Sequence, residues 1–188
     1  MQINRRHFLL SSLVAGSINL SNSSANDKFL NPVKLGNTDI IMPEIGYGSS
    51  STSDEDIVKH AFNRGVRYFD TAESYHGGDS EVSIGNALGS VRHEIIIGSK
   101  TKAKTYENKK DFMLSLEGSL KRLRTDYIDI YFNHAVNSIA RLQNTEWWEF
   151  IDKAKEQGKI RYSGVSGHGS NLADCLEYCI DRNLVDVI

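Results

Sequence analysis

The chain has 188 residues, 24 Asp and Glu against 22 Lys and Arg, and a formal net charge of −2. That balance offers no electrostatic footprint for nucleic acid. An apolar share of 39% with only two prolines describes a globular chain rather than a disordered one, and the two cysteines form no Cys/His spacing of a zinc site.

The first 25 residues read as a targeting segment outside the fold. Asn4-Arg5-Arg6-His7-Phe8-Leu9-Leu10 is a twin-arginine pattern, followed by an apolar stretch from Phe8 to Ile18 and then by Ser and Asn. The apolar stretch is too short to span a bilayer. Ser23 and Ala25 have the small-residue spacing of a cleavage site, which predicts a cut after Ala25 and a domain over 26–188. The segment resembles a bacterial twin-arginine export signal. That implies a periplasmic or otherwise extracytoplasmic protein, exported folded, with no membrane association beyond the signal; the cytoplasm is the alternative.

A hairpin is expected next: Val33-Lys34-Leu35, a Gly36-Asn37 turn, then Ile40-Ile41-Met42. Strand-like and helix-like runs then alternate. Ile45 to Gly48 is the first strand of the series, and a helix follows through Asn63 with Ser53 as its N-cap and Gly65 as its stop. Val66 to Phe69 is the second strand, followed by a helix from Glu81 to Leu88. Glu94 to Ser99 is the third, followed by a long helix from Lys109 to Arg124 with Phe112, Leu116, Leu120 and Leu123 on one stripe. Ile128 to Asn133 is the fourth, followed by a helix from Glu146 to Glu156 capped by Thr145. Ile160 to Val165 is the fifth, followed by a helix from Asn171 to Arg182, and Leu184 to Ile188 begins a sixth. Trp147-Trp148 is expected to pack the outer helix layer, with a pocket wall as the alternative. Cys175 and Cys179 share one helix face and are expected as small packed residues rather than a disulfide.

Repeated strand–helix units imply parallel strands with right-handed crossovers. A dinucleotide-type doubly wound sheet would carry G-x-G-x-x-G after its first strand, and Gly46-Tyr47-Gly48-Ser49-Ser50-Ser51 lacks the third glycine. A (β/α)8 barrel fits better, because polar residues recur at successive strand ends. A complete barrel takes about 250 residues, so the expectation is a TIM barrel truncated after about the sixth strand, with an N-terminal hairpin. Unpaired edges on the first and sixth strands would make this chain alone fold poorly and bind dinucleotide weakly.

Asp70 follows the second strand and Tyr75 lies five residues on. Lys100 ends the third strand, and His134 ends the fourth. In a parallel barrel these ends meet at one mouth, where the chemistry sits. A carbonyl that accepts hydride becomes an alkoxide and needs a proton. A free tyrosine, with a pKa near ~10, is a reluctant donor, and a neighbouring ammonium would lower that value. Tyr75 is therefore the candidate general acid and Lys100 its tuning charge. Asp70 holds Lys100, and His134 orients the carbonyl oxygen or joins the proton relay. His76 and His168 are also near the mouth, but no third residue with ligand spacing accompanies them, and no metal is expected.

Over Val33 to Ile188 the chain resembles the aldo-keto reductases. The resemblance rests on Phe69-Asp70-Thr71-Ala72-Glu73-Ser74-Tyr75, on Gly77-Gly78-Asp79-Ser80-Glu81 with Gly85, and on Ser99-Lys100. It continues in Leu116 to Asp129, in Tyr131-Phe132-Asn133-His134, and in Gly158-Lys159-Ile160-Arg161-Tyr162-Ser163-Gly164-Val165-Ser166. It implies a barrel that binds NADPH, or less often NADH, across its strand ends and reduces small-molecule aldehydes and ketones. It also implies nicotinamide contacts at Gly48, Ser49, Asp70, Ser166 and Gly167. At Gly167 the family has Asn, and the departure removes one side-chain hydrogen bond. Two other classes fit parts of this pattern. One is a non-catalytic nucleotide-binding or regulatory barrel. The other is a Schiff-base enzyme using Lys100, which Asp70 argues against. Substrate identity and oligomeric state are not written in the motifs.

Overall fold

The computed structural model describes residues 32–188. The twin-arginine pattern, the apolar stretch and the cleavage site at Ala25 lie outside the described residues. Two short strands, β1 (Pro32–Lys34) and β2 (Ile41–Pro43), pair antiparallel. The connection between them is closed by Leu35 N–H to Ile40 O and Thr38 N–H to Leu35 O, both 3.0 Å.

Five strands then form one parallel sheet in strict chain order: β3 (Tyr47–Gly48), β4 (Tyr68–Asp70), β5 (Ile96–Thr101), β6 (Ile128–Val136) and β7 (Ile160–Gly167). A doubly wound sheet reverses its strand order partway; an unreversed sequential order with helical crossovers is the wall of a barrel. The sixth apolar run does not form a strand. It touches β7 through a single parallel bridge between Gly164 and Val187, held by Val165 N–H to Val187 O and Val187 N–H to Ser163 O, both 3.2 Å.

The helices are α1 (Glu55–Asn63), α2 (Asp79–Leu88), α3 (Lys109–Leu123), α4 (Ile139–Leu142), α5 (Thr145–Glu156) and α6 (Leu172–Asp181). Two expected caps move by one residue. Asp54, not Ser53, caps α1 by accepting from Asp56 N–H at 2.8 Å, and Asn144, not Thr145, caps α5 by accepting from Glu146 N–H at 3.0 Å. In both cases the Asx carboxyl or amide oxygen takes the cap from a neighbouring hydroxyl residue. α3 opens with a capping box in which Asn108 accepts from Lys110 N–H and Asp111 accepts from Asn108 N–H. The short α4 has no counterpart in the sequence reading, because four residues are too few to show a helical period.

The outer layer packs on aromatic residues. Trp147 is fully buried, with ring centroids 5.2 Å from both Phe112 and Phe150 and 6.3 Å from Tyr131. Trp148 stays in the same layer and donates its indole N–H to Leu142 O at 2.8 Å. Both tryptophans are outer-helix residues. Cys175 and Cys179 are free thiols buried under α6, and burial pushes the Cys179 thiol up to about 11.

Candidate active site

Asp70 closes β4, and Lys100 and His134 lie near the C-terminal ends of β5 and β6. Strand alternation sends Tyr68 and Asp70, Gly98 and Lys100, and Phe132 and His134 to the inner face of the wall. Tyr75 enters from the side, opening a 3₁₀ turn over Tyr75–Gly78 in which His76 adopts a left-handed backbone (φ 50°).

Lys100 Nζ donates to Asp70 Oδ1 at 2.5 Å and to Thr71 O at 2.7 Å. The Tyr68 hydroxyl donates to the second Asp70 oxygen at 3.2 Å. The ammonium lies 5.2 Å from the centre of the Tyr75 ring, and the Tyr75 and His134 rings meet edge-to-face at 5.6 Å. All four sequence-predicted residues therefore share one neighbourhood.

The electrostatics differ from the sequence expectation at Tyr75. Its phenol is pushed up, first by burial and then by the Asp70 carboxylate. Among the described residues no hydrogen bond joins it to Lys100, whose charge is spent on Asp70 and Thr71. The acidifying effect of Lys100 on Tyr75 is thus not built into this geometry; the phenol keeps its proton at neutral pH. Burial lowers the Lys100 ammonium, and the Asp70 charge opposes that. His134 is held down to about 4, chiefly by burial and then by Lys100, Lys102, His168 and Arg141. It is a neutral imidazole at physiological pH.

Arg141 on α4 is a site residue that sequence reasoning missed. Its guanidinium donates to Ala103 O and Asn133 Oδ1 at 2.8 Å, to His134 O at 2.8 Å and to Ala135 O at 2.7 Å. It gathers the carbonyls around His134, where Ala135 is forced to φ 52°. No motif marks it, because three of its four partners are backbone oxygens.

A cavity of about 360 Å³ opens at this mouth, lined by Tyr68, Asp70, Lys100, Phe132, Ser166 and Gly167 among others. Its floor is tightly set. A Cβ at Gly98 would meet the Tyr68 hydroxyl at 2.6 Å, and one at Gly164 would meet the Phe132 ring at 2.4 Å. A larger hollow of about 610 Å³ lies at the opposite strand ends, beside Arg67, Asp129 and Arg161. There Asp129 is fully engaged by Arg92 and Arg161, both at 2.7 Å, so the smaller mouth cavity is the candidate site.

The expected cofactor positions divide. Among the described residues the buried Ser166 Oγ has no partner, which suits a ligand amide at that point. Gly48 has open space where a Cβ would project. Ser49 is different: its side chain is fully buried and donates to Asp70 O at 2.8 Å, turned away from the mouth. Gly167 explains its own departure from the family, because a Cβ there would meet Leu172 Cδ1 and Val136 O, both at 2.6 Å. No side chain fits. Among the described residues no three His, Cys, Asp or Glu side chains gather as a metal site, and no helix is long and apolar enough to cross a membrane.

Sequential parallel strands with Asp70, Lys100, Tyr75 and His134 near one end form a TIM-barrel-like α/β fold, and residues 44–180 match the model of the aldo/keto reductase family. The chain belongs to that family. It is 31% identical over 169 residues to an uncharacterised Bacillus subtilis oxidoreductase, YqkF, covering 82% of this chain and 54% of that protein. It is also 31% identical over 177 residues to L-galactose dehydrogenase of Arabidopsis thaliana, covering 82% and 54%. Among solved structures, the holo form of a Bacillus halodurans aldo-keto reductase superposes with a TM-score of 0.70 at 28% identity, covering 81% of this chain and 54% of that one. A Klebsiella pneumoniae aldo/keto reductase in complex with NADP and acetate superposes with a TM-score of 0.60 at 30% identity, covering 72% and 50%. The chain spans about half the length of these relatives.

Proposed function

We propose that the mouth serves a nicotinamide-dependent reduction of small aldehydes or ketones to alcohols. One observation carries this reading: Asp70, Lys100, Tyr75 and His134 come together at the C-terminal strand ends, where Asp70 and Lys100 also line the mouth cavity. The bound nicotinamide, NADPH or NADH, supplies the hydride. Tyr75 brings its phenol proton to the substrate oxygen. Asp70 keeps Lys100 charged and aimed, so that positive charge stands beside the oxygen where negative charge develops. His134, being neutral, can present one ring N–H to that oxygen and fix its direction. Ser166 Oγ and the open face at Gly48 would hold the nicotinamide end, with no side-chain help from position 167.

The test mixes the full-length protein with a small aldehyde and NADPH or NADH and follows nicotinamide absorbance. Turnover is expected, and Tyr75→Phe should lower kcat by roughly 10²–10⁴-fold while dinucleotide still quenches protein fluorescence. Turnover that survives Tyr75→Phe removes the acid role; no turnover with either dinucleotide removes the reading. Twin-arginine export is proposed alongside it. Changing Arg5 and Arg6 to Lys should strand the protein in the cytoplasm, and unchanged fractionation would refute export.

A further inference from the structure

Lys100 is flanked on its strand by two hydroxyl residues, Ser99 and Thr101. By strand alternation both point to the face opposite the ammonium. Each donates to a glutamate. Ser99 Oγ–H donates to Glu81 Oε1, and Thr101 Oγ1–H donates to Glu73 Oε1. Those two glutamates bracket the segment that carries Tyr75: Glu73 lies just before it, and Glu81 lies in the first turn of α2 just after it.

Other contacts tighten the same join. Thr71 N–H donates to Gly98 O at 2.8 Å and Glu73 N–H to Lys100 O at 3.2 Å, continuing the β4–β5 ladder past the strand end. Glu81 is fully buried, and its second oxygen accepts from Arg122 Nε at 2.7 Å. Arg122 in turn lies over Gly78, the last residue of the Tyr75 turn, where a Cβ would meet Arg122 Cδ at 2.9 Å. A carboxylate with no exposure is expensive to bury, and here its ties run to the residue beside Lys100 and to the arginine over the Tyr75 turn.

We infer that Glu73 and Glu81 are positioning residues: a two-carboxylate clamp that fixes the Tyr75 turn against Ser99 and Thr101 and so sets the placement of Tyr75 relative to Lys100. The inference rests on the proposed reduction for its kinetic consequence, but the clamp itself has a readout without turnover. The charged and titratable groups facing the Tyr75 phenol are Asp70 from β4, Lys100 from β5 and His134 from β6. A loosened turn carries the phenol toward water and away from Asp70, so its raised pKa should fall toward the ordinary tyrosine value.

The experiment uses the full-length protein with Ser99→Ala, Thr101→Val and the pair. Tyrosinate absorbance is titrated for each, as the difference from the same protein bearing Tyr75→Phe, and kcat and KM are measured with NADPH and a small aldehyde. The pair is expected to lower the Tyr75 pKa. It is also expected to cut kcat by about 10-fold or more with KM changed less than about 2-fold, since misplacement of the acid affects the reacting geometry. Glu81→Gln can still bond both Ser99 and Arg122 and should keep most of wild-type kcat, whereas Glu81→Ala should match Ser99→Ala. An unmoved Tyr75 titration in the single hydroxyl variants overturns the clamp, as does a kcat loss matched by an equal rise in KM. Absence of turnover in the wild type counts against the reductase reading alone, and the titration still decides the clamp.

Discussion

On its outer face the strand wall presents Phe69, Ile97 and Tyr131 to the Phe112–Trp147–Phe150 cluster; on its inner face the same strands present Asp70 and Lys100 to a cavity and His134 to the Tyr75 ring. An odd offset along each strand, one residue on β4 and three on β5 and β6, separates the two. The outer face is held by apolar area, which is indifferent to the identity of any single contact. The inner face is held by a few directional bonds, such as Lys100 to Asp70 and Thr71, and the Asp70 carboxylate keeps some exposure and a second bond from Tyr68. Changes to the first face should therefore register as stability and changes to the second as chemistry.

The largest separation is expected from Lys100→Met. It removes the ammonium while Tyr68 still bonds Asp70, and kcat/KM for aldehyde reduction should fall on the order of 10²–10⁴-fold, with a urea midpoint close to wild type. A midpoint that collapses with the activity would merge the two faces. Trp147→Ala is the converse: roughly 3–5 kcal/mol of unfolding free energy lost in urea titration, with kcat of the folded fraction unchanged.

His134 sharpens the comparison through pH. Its pKa of about 4 lies below the ordinary 6.5, so the unfolded chain takes up the proton first. The contribution is complete above pH 6.5 and is lost as pH falls toward about 4, amounting to no more than about 3 kcal/mol. His134→Asn should flatten that slope in acid unfolding curves. The kcat profile should show no histidine limb near neutrality. The smallest effect is expected at Ser166→Ala, which frees no protein bond: coenzyme Kd should weaken by about 3–10-fold by fluorescence titration, with stability unmoved.

Strand existence and order were legible because apolar runs and polar strand ends are local patterns, and Asp70, Lys100 and His134 sit where a parallel barrel must bring them. Cap positions slipped by one residue at Asp54 and Asn144 because competing oxygens stand side by side there. The sixth strand was misjudged because Leu184 to Ile188 has the composition of a strand but bonds β7 at a single bridge. The sense of the Tyr75 shift was not legible at all. It depends on how deeply the phenol is buried and how near Asp70 stands to it, and sequence spacing carries no such information. The Glu73 and Glu81 ties were invisible because their partners come from distant segments, and Arg141 because it bonds mostly backbone oxygens.

Gly98 and Gly164 leave room for the rings of Tyr68 and Phe132 to press close against the strands beneath the mouth. The depth of that bowl is set in part by two missing methyl groups, on residues that do not themselves line it. Alanine at either position would displace the ring packed on it, so the shape of the cavity would be altered from underneath.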